Sequence, residues 1–339
     1  MNLNSLRSGS RSPDNGAVWR PSEPLRARRG TALASQRSWL DASRCCAGRQ
    51  TDWLQTAAAP SLVAKALVAL FVVLLAACDG KLAHRREGVI QGRVPLPADV
   101  GRLDIEVGFG SITVLADDAT QDVVTFEGST LRAADTADDL LALASVDLTL
   151  NAVAADGVLR LHAPALPSTL ESSTARMVVR GIVRCPTRLR VAIRTGIGSV
   201  KVDKIAGGVD IDTGLGEVVV SDCGGLATVQ SASGDIMVDR HRGSLVLAAP
   251  KGSARAYLSE LGTAGVRASA RSALEVYLPR ATTFGLDART GHGRCHNSFG
   301  VPIVIVGSAA SMQGDVNGGG ARLDLVCISG PVTVGANDR

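Results

Sequence analysis

The second half of the chain alternates apolar and polar positions around glycines that recur at every ninth residue. The second and fourth residues after each glycine are apolar, as in Val200 and Val202. Such alternation is typical of a β-strand whose side chains point inward and outward in turn. Glycine tolerates the crowded or positive-φ backbone that a corner requires. We therefore predict that these glycines form structural corners: Gly198, Gly207, Gly216, Gly225, Gly234, Gly243 and Gly252.

The corner sequences themselves repeat with a longer period. Thr195-Gly196-Ile197-Gly198 is followed after 18 residues by Thr213-Gly214-Leu215-Gly216. Two strands and two corners in each repeat predict an all-β fold, a flattened parallel β-solenoid (β-helix-like) with about 18 residues per coil. Facing sheets about 10 Å apart admit Val, Ile, Leu and Ala more readily than aromatic rings. The run Val301–Val306 also predicts a buried strand.

The first part of the β region is less regular. Residues Ala133–Ser145 predict a short helix, and Val146–Leu150 with Val158–His162 predict a hairpin, which together form a small insertion. We expect an N-terminal β part with this insertion over residues 101–185. The solenoid repeats and a C-terminal cap follow over residues 186–339.

A segment typical of bacterial export precedes the β region. Lys65 is followed by the uncharged run Ala66–Ala77 and then by Cys78, a length that fits a signal peptide better than a membrane span. Leu75-Ala76-Ala77-Cys78 resembles a lipobox, which predicts a lipoprotein signal peptide over residues 61–77, lipidation of Cys78 and a tether over residues 78–100. The alternatives are an uncleaved signal anchor, or an ordinary signal with a coincidental cysteine.

Asp79 resembles the sorting signal that keeps lipoproteins of enteric bacteria in the inner membrane. We therefore expect an exported, lipid-anchored protein at the periplasmic face of the inner membrane, with the outer membrane as the alternative. Residues 1–60 contain nine arginines and four acidic residues without clear periodicity. They predict a misassigned start or a disordered extension.

The charge of the exported part does not favour a nucleic-acid partner. The whole chain has a formal net charge of +4, but from Cys78 onward 26 basic residues face 28 acidic ones, which gives 26 − 28 = −2. Arg188, Arg190 and Arg194 lie on the polar side of one predicted strand and are candidates for contact with an anionic surface. Solvated strand arginines are the other interpretation.

The candidate ligand and redox residues are few. His292, Cys295 and His296 are close in sequence, but they lack a second ligand pair at zinc-like spacing, so we predict no metal site. Aliphatic residues stand where calcium-binding repeats place aspartate. We therefore expect no cofactor. The four cysteines that follow Cys78 allow three disulfide pairings or four buried thiols: Cys185, Cys223, Cys295 and Cys327.

The sequence offers little for catalysis. It contains neither the Gly-x-Ser-x-Gly motif nor a phosphate-binding loop. The aromatic residues expected for sugar stacking are scarce. Several acids on the polar side of the strands resemble the carboxylates of polysaccharide lyases, but none is paired with a supporting basic residue: Asp210, Asp212, Glu217, Asp235 and Asp239.

Several motifs of the region Gly101–Val334 occur together in one known family: Gly108–Val114, Cys185-Pro186-x-x-Leu189-x-Val191, the Thr-Gly-x-Gly repeats, Gly318–Gly320 and Ser329-Gly330-x-Val332-x-Val334. On these motifs the region resembles the bacterial family known as "putative adhesin", a domain of unknown function often carried by lipoproteins or membrane proteins. This resemblance implies a repetitive β-fold without a catalyst.

We expect a non-catalytic, membrane-anchored envelope lipoprotein that acts as a structural, adhesion-like or partner-binding module, and not an enzyme. Its partner would be an envelope protein or a glycan. The alternatives are a hydrolase or lyase acting on envelope polysaccharide, or an accessory protein of an envelope-stress pathway.

Overall fold

The computed structural model describes residues 84–117, 122–144, 149–153, 157–162 and 175–337. Within them the chain forms twenty strands and one helix, α1 (Ala137–Ala144). The first ten strands are β1 (His84–Pro95), β2 (Arg102–Ala116), β3 (Val123–Ala134), β4 (Thr149–Val153), β5 (Val158–His162), β6 (Arg176–Cys185), β7 (Arg190–Ile197), β8 (Val200–Asp203), β9 (Val209–Leu215) and β10 (Val218–Ser221). The other ten are β11 (Gly224–Ser233), β12 (Ile236–Ala249), β13 (Ala254–Ala270), β14 (Leu274–Leu278), β15 (Phe284–Thr290), β16 (Cys295–Asn297), β17 (Ile303–Val306), β18 (Ala309–Val316), β19 (Ala321–Cys327) and β20 (Val332–Ala336).

Seven parallel strands close into a ring, in the order β2–β7–β9–β11–β12–β10–β8 and back to β2. The long strands β2 and β12 close this barrel because each one bonds to a different neighbour along each half of its length. The first half of β2, Arg102–Phe109, pairs with β7, and its second half, Ile112–Leu115, pairs with β8. The ring therefore has no open edge of its own.

The predicted all-β class is correct, but the predicted flattened solenoid is wrong, because the strands form one closed barrel with additional strands outside it. The spacing of 18 residues appears as the register between neighbouring strands, with Val218 opposite both Val200 and Ile236. The prediction failed because some periodic glycines do not end a strand. Gly243 lies inside β12, where the chain bends while its hydrogen-bonded ladder continues.

Additional strands extend the sheet at both ends of the ring. On one side lie β6, β3 and β1, with β5 and β4 beside the other half of β2. On the other side β13 bonds to β12 and leads to β14, β20 and β16, and to β19, β15, β18 and β17. Strand β1 occupies residues 84–95 of the segment expected to be a tether, and strands on both sides of residue 185 belong to this single sheet.

The core is a column of small aliphatic side chains inside the sheet. Inward residues of successive strands, such as Val200, Val218 and Ile236, are at most 1% exposed. Hydroxyl groups form one inward row at the corner, where Thr195 lies opposite Thr213 and Thr213 opposite Ser231. Burial of this apolar surface is the main source of stability, at about 25 cal/mol per Å².

Helix α1 confirms the short helix expected in the insertion. The hydroxyl group of Thr136 accepts a hydrogen bond from the backbone N–H of Asp139 at 3.1 Å, which is the usual N-cap geometry. Leu143 is fully buried and packs with Ala134 and Ala175. The predicted hairpin consists of β4 and β5, which pair antiparallel.

Candidate functional site

The periodic glycines stand where two backbones approach closely. Gly216 has φ +151°, and a Cβ atom added there would lie 2.0 Å from the carbonyl oxygen of Gly198. Gly198 has φ +150°, and an added Cβ atom there would lie 1.6 Å from the carbonyl oxygen of Gly110, while Gly234 has φ +159°. Gly225 and Gly243 also have positive φ angles. Added Cβ atoms at Gly207 and Gly252 would lie 2.3 Å and 2.1 Å from backbone oxygens.

Three charged residues with left-handed backbone recur at one corner of each 18-residue repeat. They are Lys204, Asp222 and Arg240, with φ angles of 62°, 52° and 50°. The guanidinium group of Arg240 donates to both carboxylate oxygens of Asp222, at 2.7 and 2.6 Å. This hydrogen bond is the main reason that the pKa of Asp222 is below its ordinary value. The charges of this corner therefore hold neighbouring strands together.

The predicted basic stripe is interleaved with acids. Arg190 and Arg194 are exposed on β7, and Arg190 lies opposite Arg102 of β2. Arg194, however, lies between Glu106 of β2 and Asp212 of β9. Arg188 is exposed just before β7 and donates a hydrogen bond to the carbonyl oxygen of Val100 at 3.4 Å. The register thus lowers the local positive charge around the stripe.

Two of the five candidate acids have structural partners. The carboxylate of Asp235 accepts a hydrogen bond from the backbone N–H of Ser253 at 2.8 Å, and Asp239 forms an ion pair with Arg240. Asp210 and Asp212 both point to the outer side of β9, and Glu217 lies exposed in the corner that follows this strand. These acids follow the strand repeat and are spread along the sheet.

An aromatic pair on the outer surface was not anticipated from the sequence. The rings of Tyr257 and Tyr277 stack with centroids 4.7 Å apart, and Tyr277 donates a hydrogen bond to Glu275. Arg255 forms two hydrogen bonds with the same Glu275 carboxylate, at 2.8 and 2.9 Å. Tyr277 also covers Gly335 on the next strand. Both faces of the Tyr277 ring are therefore occupied by protein, so this ring cannot serve as a platform for a sugar.

His292, Cys295 and His296 do not converge. Cys295 points into the core, whereas both histidines are exposed, and Nδ1 of His292 lies 3.0 Å from the hydroxyl oxygen of Ser308. In the part of the chain that the structure describes, no group of three or more His, Cys, Asp or Glu side chains is arranged to hold a metal ion. The described residues also contain no helix of sufficient length and apolarity to cross a membrane.

The cysteines of the β region are buried as free thiols: Cys185, Cys223, Cys295 and Cys327. Burial raises the pKa of Cys185 to about 12 and that of Cys223 to about 11. Because the thiolate is the reactive form, these groups are poor nucleophiles in the folded protein.

A buried histidine also escaped the sequence analysis. His241 of β12 is fully buried, and its Nε2 donates to the carbonyl oxygen of Ser244 at 3.2 Å. Desolvation lowers its pKa below the ordinary value, and hydrogen bonds with the backbone of Ser244, Cys223 and Gly225 oppose that shift. Burial therefore disfavours the charged form of this imidazole inside the sheet.

One groove of about 560 Å³ opens beside a register shift between β12 and β13. Its walls are formed by residues 259–263, by Pro279 and residues 281–283, and by Ala321. Glu260 is the ionisable residue in these walls. The hydroxyl groups of Ser259, Thr263 and Thr282 supply further polarity. A single carboxylate does not provide the acid and base pair used by a glycoside hydrolase.

The predicted buried run Val301–Val306 is wrong over most of its length. Val301 is buried, but the strand β17 that follows is exposed at all four of its residues. Its sequence Ile303-Val304-Ile305-Val306 resembles a core strand because it contains no polar position. The strand lies at the end of the sheet, where no further strand covers it in the described part of the chain.

Cys78 and Asp79, the predicted lipidation and sorting residues, lie outside the described residues, as do residues 1–60 and the predicted signal peptide over 61–77. They remain predictions from the sequence.

No protein-family model matches the chain, and no curated protein matches it. Among solved structures, it is similar to a "putative cell adhesion protein" from Clostridium sporogenes, with 11% identity, 75% of this chain and 100% of that chain covered, and a TM-score of 0.31. A "putative adhesin" from Bacteroides fragilis has 14% identity, coverage of 74% and 97%, and a TM-score of 0.32. A "putative lipid binding protein" from Parabacteroides distasonis has 11% identity with the same coverage and TM-score. Similarity at this level assigns neither a family nor a function to the chain.

Proposed function

We propose that the chain is a non-catalytic module of the bacterial cell envelope, held at a membrane by lipid on Cys78 and used to bind a partner. The observation that supports this proposal most strongly is the placement of reactive groups. The thiols and His241 are buried in the core, whereas two ion pairs with two hydrogen bonds each, Arg240 with Asp222 and Arg255 with Glu275, join adjacent strands on the outer surface. These ionisable groups stabilise the fold instead of converging on a substrate.

The electrostatics argue against the alternative of a polysaccharide hydrolase or lyase. A general acid at neutral pH needs a carboxyl group with a raised pKa. Hydrogen bonds from Arg240 and Arg255 instead lower the pKa values of Asp222 and Glu275. The groove beside β13 contains Glu260 without a second carboxylate in its wall.

A binding role suits the outer surface of this sheet. Rows of side chains repeat from strand to strand and form broad faces. Among the described strands, β17 ends the sheet with a single neighbour, β18. An envelope protein or a glycan would bind to a face, and an extended peptide would add to an edge. Adhesion between cells is one form that such binding would take.

Lipid attachment is the first test of this function. The full-length chain would be expressed in a bacterial host that receives an alkyne-labelled fatty acid. We expect labelling and membrane fractionation of the wild type and loss of both in Cys78→Ser. Cys46→Ser is the matched control and is expected to keep the label. An unlabelled wild-type chain, or a label that survives in Cys78→Ser, would refute the proposed anchor.

Cross-linking in intact cells, followed by mass spectrometry, tests the binding role. We expect cross-links from the outer faces of the sheet to a specific envelope component, and their loss in Cys78→Ser if the anchor brings the two together. Turnover of isolated envelope polysaccharide by the purified chain would favour the enzyme instead. Substitution of Glu260 by Gln would then be expected to abolish that turnover.

A further inference from the structure

Strand β17 presents apolar side chains on both of its faces. Ile303, Val304, Ile305 and Val306 are 41%, 58%, 69% and 72% exposed. Because successive side chains of a strand point to opposite faces, neither face of β17 is covered by the core. The apolar surface of such a strand is removed from water only when another strand or surface covers it.

The position of β17 leaves one side of its backbone free as well. The sheet continues from β13 through β19, β15 and β18 to β17, and β17 pairs only with β18 among the described strands. It therefore ends the sheet at the side of the ring opposite to β1. The outer N–H and C=O groups of such an edge strand are free to form a ladder with another chain.

The other long edge of the sheet has the charges that block such pairing. Strand β1 contains Arg85, Arg86, Glu87 and Arg93. By contrast, the chain has no charged residue between Arg294 and Asp315. Natural proteins commonly place charges, especially lysine, on edge strands to prevent association. Strand β17 lacks this protection.

The segment that leads into β17 is fixed in place. The side chain of Asn297 accepts hydrogen bonds from the backbone N–H groups of Phe299 and Val301, at 3.1 and 2.9 Å, and donates one to the carbonyl of Val301 at 2.8 Å. The ring of Phe299 packs edge to face against Phe284 at 5.2 Å. A strand held in this way loses little conformational entropy when it binds.

We propose that β17 pairs antiparallel with β17 of a second copy of this chain. Side chains that lie directly opposite each other in an antiparallel pair point to the same face of the sheet. A two-fold axis must therefore pass between a residue and its own copy, and an axis at Val304 places Ile303 opposite Ile305 and Pro302 opposite Val306. Every side chain would then meet an apolar partner, and no charge would be buried. Pro302 lacks an N–H group and Gly307 turns the chain with φ +63°, so the paired length does not extend beyond these residues.

An isologous contact of this kind joins two sheets into one continuous sheet and closes after two copies. A strand from an unrelated protein would need the same uninterrupted apolar pattern on both faces. A second copy supplies that pattern by symmetry. The pairing does not depend on the lipid anchor, so its failure would leave the proposed function untouched, and failure of the anchor would leave the pairing untouched.

Sedimentation velocity of the full-length chain over a range of concentrations tests the pairing. We expect a monomer–dimer equilibrium for the wild type and a dimer dissociation constant at least about tenfold higher for Val304→Lys/Ile305→Lys, because the introduced charges lie at the axis and next to it. Val89→Lys is the matched control, since Val89 is 81% exposed on the opposite edge. All three proteins contain the uncharged run 66–77, so association through that run would be common to them.

A charge-swap experiment tests the register. Val304→Lys and Val304→Glu would each weaken the dimer alone, because two like charges would face each other at the axis. A mixture of the two variants is expected to restore dimers, because the introduced lysine then faces the introduced glutamate. A wild type that stays monomeric, a dimer that persists in the double-lysine variant, or equal loss in Val89→Lys would overturn the proposal. A mixture that fails to associate would overturn the register on which it rests.

Discussion

At the scale of single residues, the core depends on close stacking of equivalent side chains. Val218 is fully buried and lies opposite Val200 on one strand and Ile236 on the other. Substitution by aspartate would bury a carboxylate that has no ionic partner. We expect Val218→Asp to lower the free energy of unfolding by more than about 3 kcal/mol, measured by denaturant titration.

The neighbouring residue provides the control for that substitution. Val219 points to the opposite face of β10 and is only partly buried, with Lys201 as one of its register partners. Val219→Asp is therefore expected to change stability by much less than Val218→Asp. Equal losses in the two variants would contradict the inward orientation of Val218.

His241 makes the stability of the protein depend on pH. Its pKa is lowered in the folded protein, mainly by burial, whereas in the unfolded chain it returns to about 6.5. The unfolded state therefore binds the proton more readily, and stability is lost as the pH falls from about 6.5 towards the folded-state pKa. We expect His241→Leu to remove this part of the pH dependence, measured as the free energy of unfolding between pH 7 and pH 4.5.

The exposed His296 is the matched control for His241. Its substitution by glutamine removes a histidine from the surface without disturbing the core, so it separates the loss of the buried imidazole from the loss of a histidine in general. If His241→Leu keeps the wild-type slope, the slope must come from other groups, and the assignment to the buried imidazole is wrong.

The sequence anticipated the buried residues of the repeats but missed His241. Alternation around the glycines identifies Val200, Val218 and Ile236 directly. His241, in contrast, stands between Arg240 and Arg242 and resembles part of a polar corner. It occupies the position of Cys223 and Ile205 in the two preceding repeats of 18 residues, and both of these are buried as well. The repeat therefore carried a signal for its burial, which its polar side chain and charged neighbours obscured.

At the scale of elements, the closed ring depends on strands that continue through positions where the sequence indicates a corner. A glycine either ends a strand or lets it bend, and its spacing alone does not distinguish the two cases. Gly108 and Gly110 both lie within β2, and hydrogen bonds to β7 and β8 hold that strand on either side of them. The all-β class followed from the alternation of apolar and polar residues. Closure of the barrel depends on long-range pairing, in which β2 bonds to β7 and β8 and β12 bonds to β10 and β11.

The exposure of β17 illustrates a related limit. Four consecutive β-branched residues are typical of a strand buried on both faces. Whether a strand is covered depends on its place in the sheet order, and β17 comes last on its side. If the same four residues stood in the middle of the sheet, the prediction of a buried strand would have been correct.

Hydrogen exchange should follow the order of strands in the sheet. Strand β10 is bonded to β8 and β12, whereas β3 is the one partner of β1 among the described strands. We expect peptides that cover β10 to exchange much more slowly than peptides that cover β1, measured by mass spectrometry under native conditions. Strand β3, which lies between β1 and β6, is the control and should exchange more slowly than β1. Equal exchange in β1 and β3 would contradict this edge position.

At the scale of the whole molecule, the boundary expected between residues 185 and 186 crosses a continuous sheet. Strand β2 bonds to β6 before that boundary and to β7 and β8 after it. Separate unfolding of the two parts would leave the hydrogen-bonding groups of β2 without partners on one side. The pairing therefore favours one cooperative unit that includes both parts.

The buried cysteines are natural reporters of that cooperativity. Cys185 ends β6, Cys223 lies between β10 and β11, and Cys327 ends β19, so together they sample the length of the sheet. Burial raises the pKa of Cys185 and Cys223, so their thiols react slowly with an alkylating reagent until the protein unfolds. We expect all three to become modified over one common range of denaturant concentration, measured by pulsed alkylation and peptide mass spectrometry with the fully unfolded chain as the reference. Modification of Cys185 at a clearly lower denaturant concentration than Cys223 would contradict a single unit, because it would mean that β6 separates from β2 while the ring is still intact.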